Sequence, residues 1–254
     1  MRSKWTITFG SNSRGFPWRC WFPRFGGIGG GKTFGSGEGH FEREFMRRIA
    51  LRTDINNWVP LSVPEIFTIF SEIPVTWCIA GGWALDLYAG KQSRKHDDVD
   101  VIILREEQLT AFHKLSEGWT LYKAENGKLA LWEKGEFLAT TNDIWVSKDS
   151  NSPWAFQIML IDSVHDSWIY GREKSINRPM TDIMAKTKEG IPYLKPEIQL
   201  LYKGGGSKIR EKDHNDFLTF LPLLTPQTRE WLKASLQIQF PKGHVWVDYI
   251  ENNN

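Results

Sequence analysis

Cysteine is scarce in this chain of 254 residues, which has two, Cys20 and Cys78. They lie far apart, and Cys78 sits inside the apolar run Val75-Thr76-Trp77-Cys78-Ile79-Ala80, so it reads as a buried free thiol and not as part of a disulfide framework. Long apolar runs are also missing. None reaches the length needed to span a bilayer, so no membrane partner is expected. The basic residues near the N-terminus are not followed by an apolar block and a small-residue cleavage site, so secretion is not indicated and a cytoplasmic location is expected. Neither sign of charge dominates: 32 Lys and Arg stand against 30 Asp and Glu, a net +2. That balance argues against a protein that coats nucleic acid. No internal repeat is visible, and the composition does not speak to oligomeric state. What is present is an ordinary apolar share of 41% and thirteen tryptophans, enough for a normal core in one domain or a fused pair.

Residues 1–45 differ from the rest. They are rich in Gly, Arg and aromatics, lack any helical or strand period, and read as a poorly ordered extension. They include Gly26-Gly27-Ile28-Gly29-Gly30-Gly31-Lys32-Thr33, which satisfies the phosphate-loop pattern G-x-x-x-x-G-K-[ST]. That loop works only between a buried strand and a helix that starts at the lysine. Here Phe34-Gly35-Ser36-Gly37 follows, a poor helix start. From Ser62 the signals are regular. Ser62-Val63-Pro64-Glu65 predicts a helix from about Pro64 to Ser71 or Ile73, stopped by Pro74. A strand over Thr76–Ile79, a short helix ended by Gly90, a strand over Val99–Leu104 and a helix over Glu106–Leu115 follow. Further strands are expected at 120–123, 128–132, 143–146, 155–160 and 167–170. After Pro192 the pattern turns helical, at 195–202, 211–221 and a last helix from Thr225-Pro226 to about Gln237. The expectation is an α+β mixed sheet over 58–190 with flanking helices, and a small C-terminal helical subdomain over 191–250.

The chemistry concentrates in Gly81-Gly82-Trp83-Ala84-Leu85-Asp86 and, seven residues on, Arg94-Lys95-His96-Asp97-Asp98-Val99-Asp100-Val101. On a strand, Asp98 and Asp100 point the same way and the valines point into the core. Two adjacent carboxylates repel unless a cation sits between them, and a hard divalent ion with oxygen ligands suits the pair. Gly81 and Gly82, at a helix N-terminus, would let backbone N–H groups approach phosphates closely. Arg94, with Lys95 and His96 beside it, would balance phosphate charge. Asp97 is out of phase and reads as an outer neighbour. Asp86 reads as a surface or capping group.

The stretch from Ala80 through Asp86 to Arg94–Asp100 resembles the nucleotidyltransferase superfamily of the DNA polymerase β type. Within it, the stretch is similar to the branch of aminoglycoside 2''-adenylyltransferases and lincosamide nucleotidyltransferases. Pro196-Glu197-Ile198-Gln199-Leu200-Leu201-Tyr202-Lys203, with Lys212-Asp213 and Asp216-Phe217, is similar to the C-terminal part of many relatives. The resemblance implies a polymerase β-like fold, two Mg²⁺ ions and ATP or another nucleoside triphosphate as co-substrate. It also implies transfer of a nucleotide to a small hydroxylated acceptor such as an antibiotic. Asp98 and Asp100 would be the metal ligands, and Lys203 and Lys212 would join Gly81, Gly82 and Arg94 on the triphosphate. Relatives usually carry a third acid on a neighbouring strand. The matching position here is Gln157, an amide that can ligate Mg²⁺ but cannot take a proton at neutral pH. Asp162, five residues on, and Asp213 are the alternative acids for catalysis. The Gly204-Gly205-Gly206 run reads as a mobile connection or lid. Two other readings stay open: a toxin-type transferase acting on protein or RNA, and a protein that binds a nucleotide without transferring it.

Overall fold

The computed structural model describes residues 51–125 and 127–253. The extension expected over 1–45 and its Gly26–Thr33 octet lie outside the described residues. The first helix, α1 (Val63–Ser71), starts as its sequence dictates. The Glu65 carboxylate accepts from the Ser62 N–H at 2.7 Å and from its hydroxyl at 2.6 Å, and Pro64 occupies the first turn. Strand β2 (Trp77–Ala80) follows short strand β1 (Leu51–Arg52) and leads without a loop into α2 (Gly81–Ala89). Gly90, at a φ of 68°, closes that helix. Strand β3 (Asp100–Leu104), α3 (Gln108–Leu115), β4 (Thr120–Glu125), β5 (Lys128–Leu131), β6 (Asp143–Ser147) and the long β7 (Trp154–Val164) come next.

Short strands β8 (Ser167–Ile169), β9 (Asn177–Pro179), β10 (Met184–Lys186) and β11 (Pro192–Leu194) then give way to four helices. These are α4 (Pro196–Gly204), α5 (Glu211–Phe220), α6 (Pro226–Gln239) and α7 (Val245–Asn252). The main sheet runs β1-β5-β4-β6-β7-β3-β2-β11-β10, with β8 and β9 extending from β7. The β3–β7 and β11–β2 pairs are parallel and the others antiparallel, so the α+β mixed sheet with flanking helices is present. One face carries Val99, Val101 and Ile103, all fully buried. On that face Phe70 of α1 meets Phe156 edge-on at 5.9 Å. The opposite face of β3, β7 and β6 presents Asp100, Gln157 and Asp143, as period-two alternation requires.

Three differences from the sequence expectation stand out. β9, β10 and β11 are three residues each, two of them containing proline, and carry too few alternations to be read locally. β11 also completes the sheet beside β2, across the expected boundary at residue 191. The helix α7 lies beyond the expected last helix and is anchored by Trp246, which stacks on Phe217 with ring centroids 4.2 Å apart. Cys78 is a free, fully buried thiol, as its apolar neighbours implied.

Candidate active site

The turn from β2 into α2 sets the geometry. Ala80 pairs with Asp100 across the antiparallel β2–β3 ladder, so the next residue must pass over the first carboxylate of β3. Gly81 does so at a φ of +67°, where a Cβ would stand 2.1 Å from Asp100 Oδ2. No L-residue with a side chain can hold that place. At Gly82 a Cβ would come within 2.3 Å of the His96 ring and 2.9 Å of an Arg94 guanidinium nitrogen. The two glycines are therefore close-approach positions. The Gly81 N–H donates to Gln199 Oε1 of α4 at 2.8 Å.

Asp100 opens β3, and Asp98 precedes it in the half-buried approach to the strand. Burial, and then the charge of Asp98, push the Asp100 carboxyl up to about 8; Lys203 and Lys212 pull it down, and Asp143 adds to the rise. The same repulsion makes the pair attractive to a cation. Across the parallel β3–β7 pairing, Asp100 is level with Gln157, whose side chain is 1% exposed. Gln157 Nε2 donates to Asp143 Oδ1 at 3.0 Å, while Gln157 Oε1 is fully enclosed and has no hydrogen-bond partner among the described residues. A buried acceptor without a donor is costly, and an amide carbonyl beside two carboxylates is an oxygen donor set of the kind a hard divalent ion takes. Among the described residues no three His, Cys, Asp or Glu side chains gather as a metal-binding group. Gln157 Oε1 is thus an unpaired oxygen on the same face of the sheet as Asp100.

Asp143 was not singled out from the sequence. It begins β6, and burial pushes its carboxyl up to about 7, against the Gln157 hydrogen bond and the charge of Arg172. The available signal was an acid opening an otherwise apolar strand, Asp143-Ile144-Trp145-Val146. Only the β6–β7 register puts it diagonal to Gln157.

Residues 62–126 match the family model for aminoglycoside-2''-adenylyltransferase. The resemblance read from the glycine pair and the aspartates therefore stands, and the matched segment contains α1, β2, α2, β3, α3 and β4. A lincosamide resistance protein from Staphylococcus haemolyticus is 37% identical over 46 residues, 18% of this chain and 29% of the relative, so the match spans under a third of that protein. Among solved structures, the lincosamide antibiotic adenylyltransferase LnuA with lincomycin bound is 22% identical, covering 66% of this chain and 100% of its own, with a TM-score of 0.47. ANT(2")-Ia in complex with adenylyl-2"-tobramycin is 14% identical, covering 69% of this chain and 95% of its own, with a TM-score of 0.45.

Outside the adenylyltransferase-like segment, α4 and α5 bring a charged cluster to the same place. Lys203, 7% exposed, lies 3.1 Å from Asp213 Oδ1 and 2.9 Å from Asp216 Oδ2. Arg94 Nε and Nη2 each donate to Asp216 at 2.9 Å, and Arg210 Nε donates to Asp213 at 2.5 Å. Burial opposes ionisation of both acids, but hydrogen bonds from Arg210 and Lys203 on Asp213, and from Arg94 and Lys203 on Asp216, hold them below the usual carboxylate range. Asp213 is thus an ionised anchor for cations. Lys212 is exposed, and its charge reaches Asp100.

Three placements differ from the sequence expectation. Asp162 is five residues past Gln157 on β7, hence on the other face, where it pairs with Arg105 at 2.5 Å. The structure does not bring it to the aspartate pair. Asp86 is buried, accepting from the Ser93 N–H at 3.0 Å, its hydroxyl at 2.6 Å and His96 Nε2 at 2.5 Å. It braces the loop that carries Arg94. Gly204 and Gly205 are buried close contacts, where a Cβ would stand 2.6 Å from the Trp246 ring and 2.0 Å from the Tyr170 hydroxyl. Packing, not a mobile lid, explains them.

Proposed function

We propose that the chain is a Mg²⁺-dependent nucleotidyltransferase that moves AMP from ATP to a hydroxyl of a small molecule of the aminoglycoside or lincosamide kind. The observation that carries the reading is the enclosed Gln157 oxygen level with Asp100, whose other side is covered by a glycine turn that no side chain could replace. Asp98, Asp100 and Gln157 Oε1 would hold the metal. When bound, Mg²⁺ would supply charge neutralisation at the attacking and leaving oxygens.

The chain's own residues divide around β3. On the β2 side, the Gly82 N–H at the start of α2, Arg94, Lys203 and Lys212 offer donors and positive charge to a triphosphate. Asp213 and Asp216 hold Lys203 in place, and Asp216 holds Arg94. On the β7–β6 side stands Asp143, with one oxygen engaged by Gln157. In-line displacement puts the leaving pyrophosphate and the incoming hydroxyl on opposite sides of the α-phosphorus. The acceptor hydroxyl would thus come from the Asp143 side. Its oxygen bonds to the α-phosphorus, its proton passes to Asp143 as general base, and the bond to pyrophosphate breaks. No helix among the described residues is long and apolar enough to cross a membrane.

The test is incubation with ATP, Mg²⁺ and a panel of aminoglycoside and lincosamide acceptors, with pyrophosphate and modified acceptor measured. Acceptor-dependent pyrophosphate release, lost in both Asp98→Ala and Asp100→Ala, supports the proposal. Tight ATP binding without turnover on any acceptor would favour a nucleotide-binding protein, the role an amide at residue 157 would suit best.

A further inference from the structure

Gln199 is the side chain that joins the C-terminal helices to the glycine turn. It lies in the middle of α4 and is 1% exposed. Its bond with Gly81 fixes the orientation of the amide, because a backbone N–H can only donate, so the atom facing it must be Oε1. Nε2 then points away from the Gly81 N–H. It has no hydrogen-bond partner among the described residues, yet it is not fully enclosed, since Gln157 Oε1 is the one enclosed orphan among them. Amide geometry keeps Nε2 within about 5 Å of the Gly81 nitrogen, at the N-terminus of α2. One helical turn on, Lys203 extends from the same face of α4 into the Asp213–Asp216 cluster and acts on Asp100.

We infer that Gln199 binds and positions the nucleotide triphosphate: Oε1 holds Gly81 against Asp100, and Nε2 donates to a phosphate oxygen. The inference rests on the proposed nucleotidyltransferase reading. It explains why a nearly sealed glutamine stands at this helix start with its donor unused. It also gives the C-terminal helices a direct part in nucleotide binding, alongside the charge supplied by Lys203. A leucine or methionine would fill the same volume in the core but would leave the Gly81 N–H without an acceptor.

The experiment compares the wild-type protein with Gln199→Met and Gln199→Glu. It measures binding of ATP and of adenosine in Mg²⁺, binding of Mn²⁺ without nucleotide, and thermal melting. Gln199→Met is expected to bind ATP about tenfold more weakly while its adenosine affinity stays within twofold, because the lost contact is to phosphate. Gln199→Glu keeps an oxygen for Gly81, so its nucleotide-free Mn²⁺ affinity is not reduced, but its ATP affinity is the lowest of the three. Either variant binding ATP within twofold of wild type overturns the inference, as does a parallel fall for ATP and adenosine. If Gln199→Met does not fold, Gln199→Glu decides by the same ATP-to-adenosine comparison. Wild-type protein that binds no ATP overturns this inference and the proposed function together. Normal ATP binding by a variant overturns this one alone.

Discussion

Gly81 and Asp100 occupy each other's space: the Cβ that Gly81 lacks would stand 2.1 Å from Asp100 Oδ2, at a backbone φ of +67°. The carboxylate that opens β3 and the start of α2 are therefore one packed unit. A change at either residue should be felt at the other.

Gly81→Ala tests that unit. The left-handed backbone alone costs about 1–2 kcal/mol for a residue with a Cβ, and the clash forces Asp100 or the turn to move. Pyrophosphate release should fall at least about a hundredfold, as a displacement near 1 Å does in a preorganised site. Circular dichroism should still report a folded protein. A Gly81→Ala enzyme that works normally would show that the contact has no role in positioning Asp100.

Gln157 separates metal binding from stability. Gln157→Leu removes an enclosed orphan oxygen along with the bond to Asp143, so the two effects on stability oppose each other and melting should change little. Metal affinity should fall about tenfold or more, read by Mn²⁺ titration. Undiminished Mn²⁺ binding in this variant would remove Gln157 from the ligand set.

Asp143 and Asp162 form a contrasting pair. Asp143→Asn should lower the turnover number by about 10²–10⁴ with KM for ATP little changed, because the proton acceptor is lost and the triphosphate contacts are not. Asp162→Asn should leave turnover within about twofold, since that residue pairs with Arg105 on the other face of β7. The reverse ranking in steady-state assays would reassign the general base.

The Lys203 cluster predicts an acid limb in stability. Asp213 and Asp216 titrate below their ordinary value of 3.8 in the folded protein. The folded state then binds fewer protons than the unfolded chain, so their contribution is complete above that value and is lost as pH falls through the lower folded values. Melting temperature should hold from pH 5 upward with respect to these groups and drop below about pH 4. Lys203→Met removes one of the two cations on each buried carboxylate, leaving Arg210 on Asp213 and Arg94 on Asp216, and should destabilise by about 1–3 kcal/mol. It should also move the acid limb to higher pH, because each acid loses one of the two cations that hold it below the usual carboxylate range. Melts across pH 3–8 that superimpose for wild type and Lys203→Met would contradict the ion-pair assignment.

Local chemistry along the chain was enough to read α1, α2 and the place of Asp100 on β3, although Asp98, expected on the same strand, lies just before it. Each depends on neighbours within a few residues: the Ser62–Glu65 box, the αL Gly90, alternation of acids with valines. The same holds for the helical character of the C-terminal third. Other features needed the folded chain. Asp143 joins Gln157 only through the β6–β7 pairing, and Asp162 leaves the site because one residue of strand parity turns it to the other face. Gln199 meets Gly81 across 118 positions, and Gly204 and Gly205 are packed, not loose, because Trp246 and Tyr170 arrive from distant elements. Period and capping are written in local sequence, whereas strand order and side-chain contact are global. The aspartate pair was therefore legible from the start, and its partners became so only when the sheet was assembled.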